Sequence, residues 1–240
     1  MSDVGDWFQS LPIFTRYWLA LTVAFSLIGR FRIINAINLI LLYEPFLYNF
    51  EIWRAVTSVF YYETNFHFLM NLYFLYNYSI RLERIDFEGR PADYLYLLIF
   101  NWVCCLVAGL MLNFYSLMNA MILSIIYIWC QLNKDAIVHF WFGLQFKAMY
   151  LPWILFGINF IINHDGLEEL VGIFGGHLYF FLKFKYPQDF GGSNLLSTPS
   201  ILEYYFPPRS SFRGFGSAPP QFTGNIHRAH NWGRGQVLGD

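Results

Sequence analysis

Residues 93–133 read DYLYLLIFNWVCCLVAGLMLNFYSLMNAMILSIIYIWCQLN, forty-one residues in which Asp93 is the one charged side chain. A soluble domain has to cover itself with polar surface, and a run like this leaves little to do it with. Divided near Asn113, it makes two apolar helices, about 93–112 and about 115–132, against the roughly 20 residues that cross a bilayer. The first has a good start: Pro91 suits an opening helical position, and Asp93 suits the positive end of the helix dipole.

Outward from this stretch, four further apolar segments fall at about 16–34, 56–80, 149–164 and 167–186. Across the 240 residues, 56% are hydrophobic and 13% charged, against about 25% charged in ordinary soluble domains. The expected fold is an all-α membrane protein, a bundle of six transmembrane helices. The last three segments are short, which implies stubby helices or a locally thinned bilayer. Three parts follow: an N-terminal segment 1–14, a membrane domain 15–186 and a tail 187–240. From Pro187 onward the chain is rich in Gly, Pro, Ser and Asn, a composition that argues for a flexible, disordered tail. The connection at 33–55 is too apolar for a solvated loop and is expected to lie in the interface or to fold back on the bundle.

Basic residues orient the bundle. With a cytosolic N-terminus, twelve of the fifteen Lys and Arg fall on the cytosolic side, leaving Arg30, Arg32 and Arg54 on the other. Six spans then return the C-terminus to the cytosol. Met1–Gln9 carries two Asp, no Lys or Arg and no following cleavage site, so the first span is expected to be retained. Cys104, Cys105 and Cys130 all sit in apolar runs, which reads as buried thiols and not a disulfide framework. The net charge of −1 and the absence of a basic stripe give no reason to expect nucleic acid. No His, Cys, Asp or Glu cluster has metal-ligand spacing and no Gly-rich phosphate loop occurs, so no cofactor or metal is expected.

Polar side chains inside apolar segments are candidates for function. They are Glu63, Asn65, His67 and Asn71 in the second segment, then Asn101, Asn119 and Asn159, then Glu168 and Glu169. Glu63, His67 and Asn71 recur at four-residue steps, so a continuous helix aligns them on one face. That face either lines a hydrated cavity, open to the lumenal side, through which polar chain passes, or packs inward and ties helices together, or lies simply at the lumenal end of the helix. Gly172 and Gly176, also four apart, permit close approach of another helix.

Several stretches together resemble the derlin family of the rhomboid superfamily. They are Thr15-Arg16-Tyr17-Trp18, Trp53-Arg54, Gly89-Arg90-Pro91-Ala92-Asp93-Tyr94-Leu95 and Trp129-Cys130-Gln131-Leu132-Asn133-Lys134-Asp135. Phe140-Trp141-Phe142-Gly143, Tyr150-Leu151-Pro152-Trp153 and Ser197-Thr198-Pro199 complete the set. The resemblance implies a rhomboid-like bundle in which Trp53 and Arg54 correspond to the Trp-Arg motif of the first loop, and Gly172 and Gly176 to the glycines of the last helix. A rhomboid protease pairs a serine in a Gly-x-Ser-Gly turn with a histidine three residues before the first of those glycines. Here no glycine adjoins Ser116 or Ser124, and counting back from Gly172 gives Glu169. A pseudoprotease is expected, with no catalytic residue. His177, just after Gly176, is read as a packing residue.

The resemblance further implies residence in the endoplasmic reticulum membrane and a role in retrotranslocating misfolded proteins to the cytosol for degradation. The implied partners are an ER ubiquitin ligase complex, misfolded ER proteins, the lipid bilayer and further subunits of the same or another kind. Residues 232–239 (WGRGQVLG) resemble the SHP box that binds the valosin-containing AAA ATPase. Gly233 and Gly235 let an extended strand lie close to a partner backbone, while Trp232 and Leu238 enter apolar pockets. The rival readings are an active intramembrane protease, a small-solute channel, and a membrane adaptor or signalling pseudoprotease that recruits the ATPase without handling substrate.

Overall fold

Helix dominates because the chain's long apolar stretches are punctuated by few breakers. A computed structural model describes residues 2–139, 143–163, 166–191 and 195–208. A short helix, α1 (Ser2–Ser10), precedes α2 (Ile13–Arg30). The first loop carries α3 (Tyr43–Tyr48) and α4 (Trp53–Phe60), followed by α5 (Phe66–Arg81), α6 (Pro91–Leu112) and α7 (Met118–Leu132). A two-stranded antiparallel hairpin, β1 (Ile137–His139) and β2 (Gln145–Lys147), leads into α8 (Leu151–Asn163). Then come α9 (Leu167–Phe180), a π-helical turn (Phe181–Lys185), α10 (Tyr186–Phe190) and α11 (Ser200–Tyr205).

At the centre stands α7. Its side chains are hydrophobic all round, and Ala120 through Cys130 are all buried, as such a helix requires. It packs against α4, α5, α6, α8 and α9. By contrast α6 leaves Val103, Val107 and Met111 exposed along one side. Its 22 residues span about 33 Å. Of the described helices it alone is long and apolar enough to cross a membrane; Met118–Leu132 and Ala148–Ile161 are shorter apolar helices.

Three expectations are corrected. The second segment is not one helix over 56–80: Tyr61–Asn65 breaks it into α4 and α5. Asn65 supplies the reason, since its Oδ1 accepts the Phe68 backbone N–H at 2.9 Å and starts a new helix as its N-cap. Glu63 therefore lies in the break. The sixth segment overruns its expected end at 186, continuing through the π-turn and α10 to Phe190. The ordered chain also continues past 187. Leu196 is buried, the Lys183 ammonium donates to the Leu196 carbonyl at 2.9 Å, and Thr198 donates its hydroxyl to Asp93 at the head of α6. Beyond α11 the Phe206 ring lies 5.2 Å from that of Phe14.

The start of α2 is capped from a distance. Pro12 offers no side-chain cap, and the Glu83 carboxylate instead accepts the backbone N–H groups of Phe14 and Thr15 at 3.0 and 2.8 Å. Thr15 Oγ1 donates to the same carboxylate at 2.7 Å, and it is joined through Ser79 to the hydroxyl of Tyr94.

Candidate functional site

Arg54 holds the first loop down. Buried on α4, it pairs through Nε with Glu51 Oε2 at 2.5 Å and donates its terminal nitrogen to the carbonyls of Ile37 and Ile40. Thr57, one turn on, donates to the Leu39 carbonyl at 3.0 Å. Trp53 turns the other way and is exposed beside Phe50 and Ile52. The expected motif thus divides into a buried tether and an outward aromatic.

Gly172 and Gly176 lie against the backbone of α7. A methyl group on Gly172 would stand 2.4 Å from the Ala120 carbonyl oxygen, and one on Gly176 2.7 Å from that of Ser124. Ala120 and Ser124 are themselves four apart and fully buried, so small residues meet on both helices.

The side chains a serine protease would pair are engaged elsewhere. Ser124 Oγ donates to the Met121 carbonyl within its own helix at 2.7 Å. Ser116 donates to the carbonyls of Ser58 and Tyr61 at 3.3 and 3.2 Å, ahead of α7. His177 Nδ1 is hydrogen-bonded to the Tyr127 hydroxyl at 2.7 Å. Glu169 is buried and accepts from the Asn159 amide at 2.9 Å.

That Asn159–Glu169 bond belongs to a larger polar cluster. His67 bridges the Tyr62 hydroxyl, 2.8 Å from Nδ1, and Asn159 Oδ1, 3.2 Å from Nε2. Alongside, the Asn71 amide donates to Asn119 Oδ1 at 2.7 Å, and the Asn119 amide donates to Glu168 at 2.9 Å. Two strings thus run from α5 to the first turn of α9, one through α8 and one through α7. Carboxylates suit that turn because unpaired backbone N–H groups make a helix N-terminus electropositive.

A cavity of about 360 Å³ opens beside the strings. Asn65, His67, Asn71, Asn119, Asn159 and Glu169 are its polar lining; Met70, Phe74, Ile122, Ile126 and Leu155 are among its apolar residues. No Lys or Arg lines it among the described residues. It lies between α5 and α8, each of which packs on α7 and hardly on the other. Four asparagines, a histidine and a carboxylate can hydrogen-bond a polar chain there without regard to its sequence.

Of the candidate polar face, His67 and Asn71 are brought together here, while Glu63 is exposed in the turn before α5. Asn119, Asn159, Glu168 and Glu169 stand out in the sequence as polar residues in apolar runs. Tyr62 does not, because an aromatic beside a bilayer is commonplace. The candidate ATPase-binding residues Trp232, Gly233, Gly235 and Leu238 lie outside the described residues.

The Der1-like family model matches residues 11–200. Proteins called Derlin-1 from Homo sapiens and Mus musculus are each 50% identical to the chain over 250 residues, with 100% of both sequences covered. Derlin-1 of Drosophila melanogaster is 48% identical over 244 residues, covering 99% of each.

Proposed function

The chain belongs to the Der1-like family, and from that premise we propose that it helps move misfolded proteins out of the endoplasmic reticulum for degradation. The observation that carries the reading is the cavity with polar lining set among the apolar helices α5, α7 and α8. Hydrocarbon cannot satisfy backbone N–H and C=O groups, and each one left unpaired there is costly. A substrate segment entering laterally finds in the cavity amides that both donate and accept.

In this reading α2, α5, α6, α7, α8 and α9 are six membrane crossings with both termini cytosolic. Among them α7 and α8 have 15 and 13 residues, shorter than the roughly 20 a full bilayer asks for. Their shortness favours a thinned membrane around the site. Residues 232–239 recruit the valosin-containing AAA ATPase, which supplies the pulling force, and an ER ubiquitin ligase works alongside. The bundle is a pseudoprotease: Ser116 and Ser124 bond to backbone carbonyls and His177 to a tyrosine.

The test is clearance of a misfolded lumenal reporter in cells depleted of the protein and rescued with variants. Wild type restores clearance. Trp232→Ala/Leu238→Ala inserts normally and loses both the ATPase and clearance. Unchanged clearance on depletion refutes the transport reading and leaves an adaptor or signalling pseudoprotease. Cleavage of a transmembrane reporter that Ser124→Ala or His177→Ala abolishes overturns the pseudoprotease assignment.

A further inference from the structure

Two tryptophans line a second cavity, of about 290 Å³, set between α2, α4 and α6 with Met121 of α7 among its walls. Trp102 gives its indole N–H to the Ala55 carbonyl at 2.9 Å. Trp18 is 5% exposed, and its indole N–H has no partner among the described residues. Buried donors are nearly always paired, because an unpaired one keeps the full cost of leaving water. Indole donates and does not accept, so whatever completes Trp18 has to bring an acceptor atom. The remaining walls are aliphatic and aromatic. Four of them, Tyr17, Leu21, Val56 and Ile99, are exposed, which puts the mouth of the groove on the outer face of the bundle.

The order of groups along the groove identifies its occupant. From the start of α2 at Ile13, Arg16, Trp18 and Leu21 follow at about 4.5, 8 and 12 Å along the axis. The Arg16 guanidinium lies 5.4 Å from the centre of the Tyr17 ring, at the mouth, and no carboxylate among the described residues pairs with it. On α6, Leu98, Ile99 and Trp102 lie about 10–17 Å beyond Pro91. A glycerophospholipid presents its parts in the same sequence: a phosphate anion, then an ester carbonyl, then a hydrocarbon chain. Arginine suits the phosphate, with a positive charge and several donors in one plane. The indole N–H suits the ester carbonyl, and the deeper walls suit the chain. Past the Phe14–Tyr94 ring contact at their starts, α2 and α6 both line the groove yet hardly pack on each other. A chain lying there touches both helices and gains dispersion contacts with each.

We propose that the α2–α4–α6 groove holds one acyl chain of a membrane glycerophospholipid, with Arg16 on its phosphate and Trp18 donating to its ester carbonyl. The site rests on the reading that α2 and α6 lie in the membrane, and it is independent of the transport role. It is also separate from the polar cavity, with which it shares no lining residue.

The full chain is reconstituted in vesicles of phosphatidylcholine, phosphatidylserine and cholesterol, extracted into mild detergent and weighed by native mass spectrometry. The parent chain carries one retained phospholipid. Trp18→Phe keeps a ring in place without the N–H, and Arg16→Gln removes the charge; each lowers the lipid-bound fraction several-fold. Ile99→Trp fills the mouth and lowers it as far, whereas Val107→Trp, at an exposed position of α6 outside the groove, leaves it unchanged. That pair decides the matter where Trp18→Phe does not fold. A parent chain that retains no phospholipid, or retains cholesterol in its place, overturns the site. So does equal retention in Trp18→Phe and the parent, or an equal loss in Ile99→Trp and Val107→Trp. The membrane reading beneath it is tested separately by alkaline carbonate extraction of cell membranes. A chain that washes off sinks that reading, while one that stays in the membrane but retains no phospholipid sinks the groove alone.

Discussion

At the scale of single residues, two charged side chains do structural work that composition alone would not assign them. Arg54 is 3% exposed and joins Glu51 to two loop carbonyls through a fork of donors. Removing one member of a buried ionic group costs about 3–5 kcal/mol, because the others are left without partners. Arg54→Ala is therefore expected to lower thermal stability in detergent by that amount and to expose residues 33–52 to protease. Lysine cannot present two nitrogens in one plane, so Arg54→Lys recovers only a minor part.

Glu83 caps α2, and burial pushes its carboxyl above the ordinary value of 4.5, against hydrogen bonds from Thr15 and the Phe14 backbone. A carboxyl raised in the fold binds its proton more tightly folded than unfolded. Its contribution to stability is full below the unfolded value and is lost as pH rises through the folded one. Glutamine keeps one oxygen, enough for Thr15 or for Phe14 but not for both, and does not ionise. The unfolding midpoint of the parent chain should fall as pH rises above about 4.5, and that slope should be shallower in Glu83→Gln. Parallel slopes would assign the pH dependence to other groups.

At the scale of elements, the α7–α9 contact depends on the absence of side-chain atoms. Gly172 and Gly176 each face a backbone carbonyl, which cannot swing aside, whereas a methyl on neighbouring Gly175 would be 3.4 Å from the Asn101 side-chain oxygen. Overpacking of this kind costs about 1–3 kcal/mol or more. Gly172→Ala and Gly176→Ala should each destabilise the bundle by at least that much, with Gly175→Ala well below them in the same unfolding assay. Comparable losses at all three positions would refute the close-contact account. The glycine pair is readable in sequence by its spacing, but its receiving surface, Ala120 and Ser124, is a fact of tertiary packing. The break at Tyr61–Asn65 was hidden for a related reason. Asn65 looks like one more polar residue in an apolar run until its side chain is seen capping α5, and without that break a continuous helix puts Glu63 on the polar face. His67 and Asn71 share a face all the same because they are four apart within α5 itself.

At the scale of the whole chain, the boundary of the ordered unit lies later than composition indicates. Gly, Pro and Ser after Pro187 argued for disorder, yet the segment holds a few anchors with partners far away in sequence. Lys183 sits 3.6 Å from Asp93, Thr198 closes on the same carboxylate, Leu196 is buried, and Phe206 packs on Phe14. These residues tie the ends of α2, α6 and α9 together. No local pattern announces such a strap, since Asp93 and Thr198 are 105 residues apart. Two truncations separate the strap from the rest of the tail. Ending the chain after Pro208 keeps every anchor, so its unfolding midpoint should match that of the full chain, although the proposed ATPase contact at 232–239 is gone. Ending it after Gly191 removes Leu196, Thr198 and Phe206 and leaves Asp93 and Lys183 short of partners. Burying Leu196 alone accounts for about 1.5–3 kcal/mol, so this shorter chain should melt measurably lower. Asp93→Asn in the full chain should loosen residues 195–208 to hydrogen exchange without reaching the α7–α9 contact. If both truncations melt alike, the strap is an attachment without structural consequence, and stability resides in the helices before it.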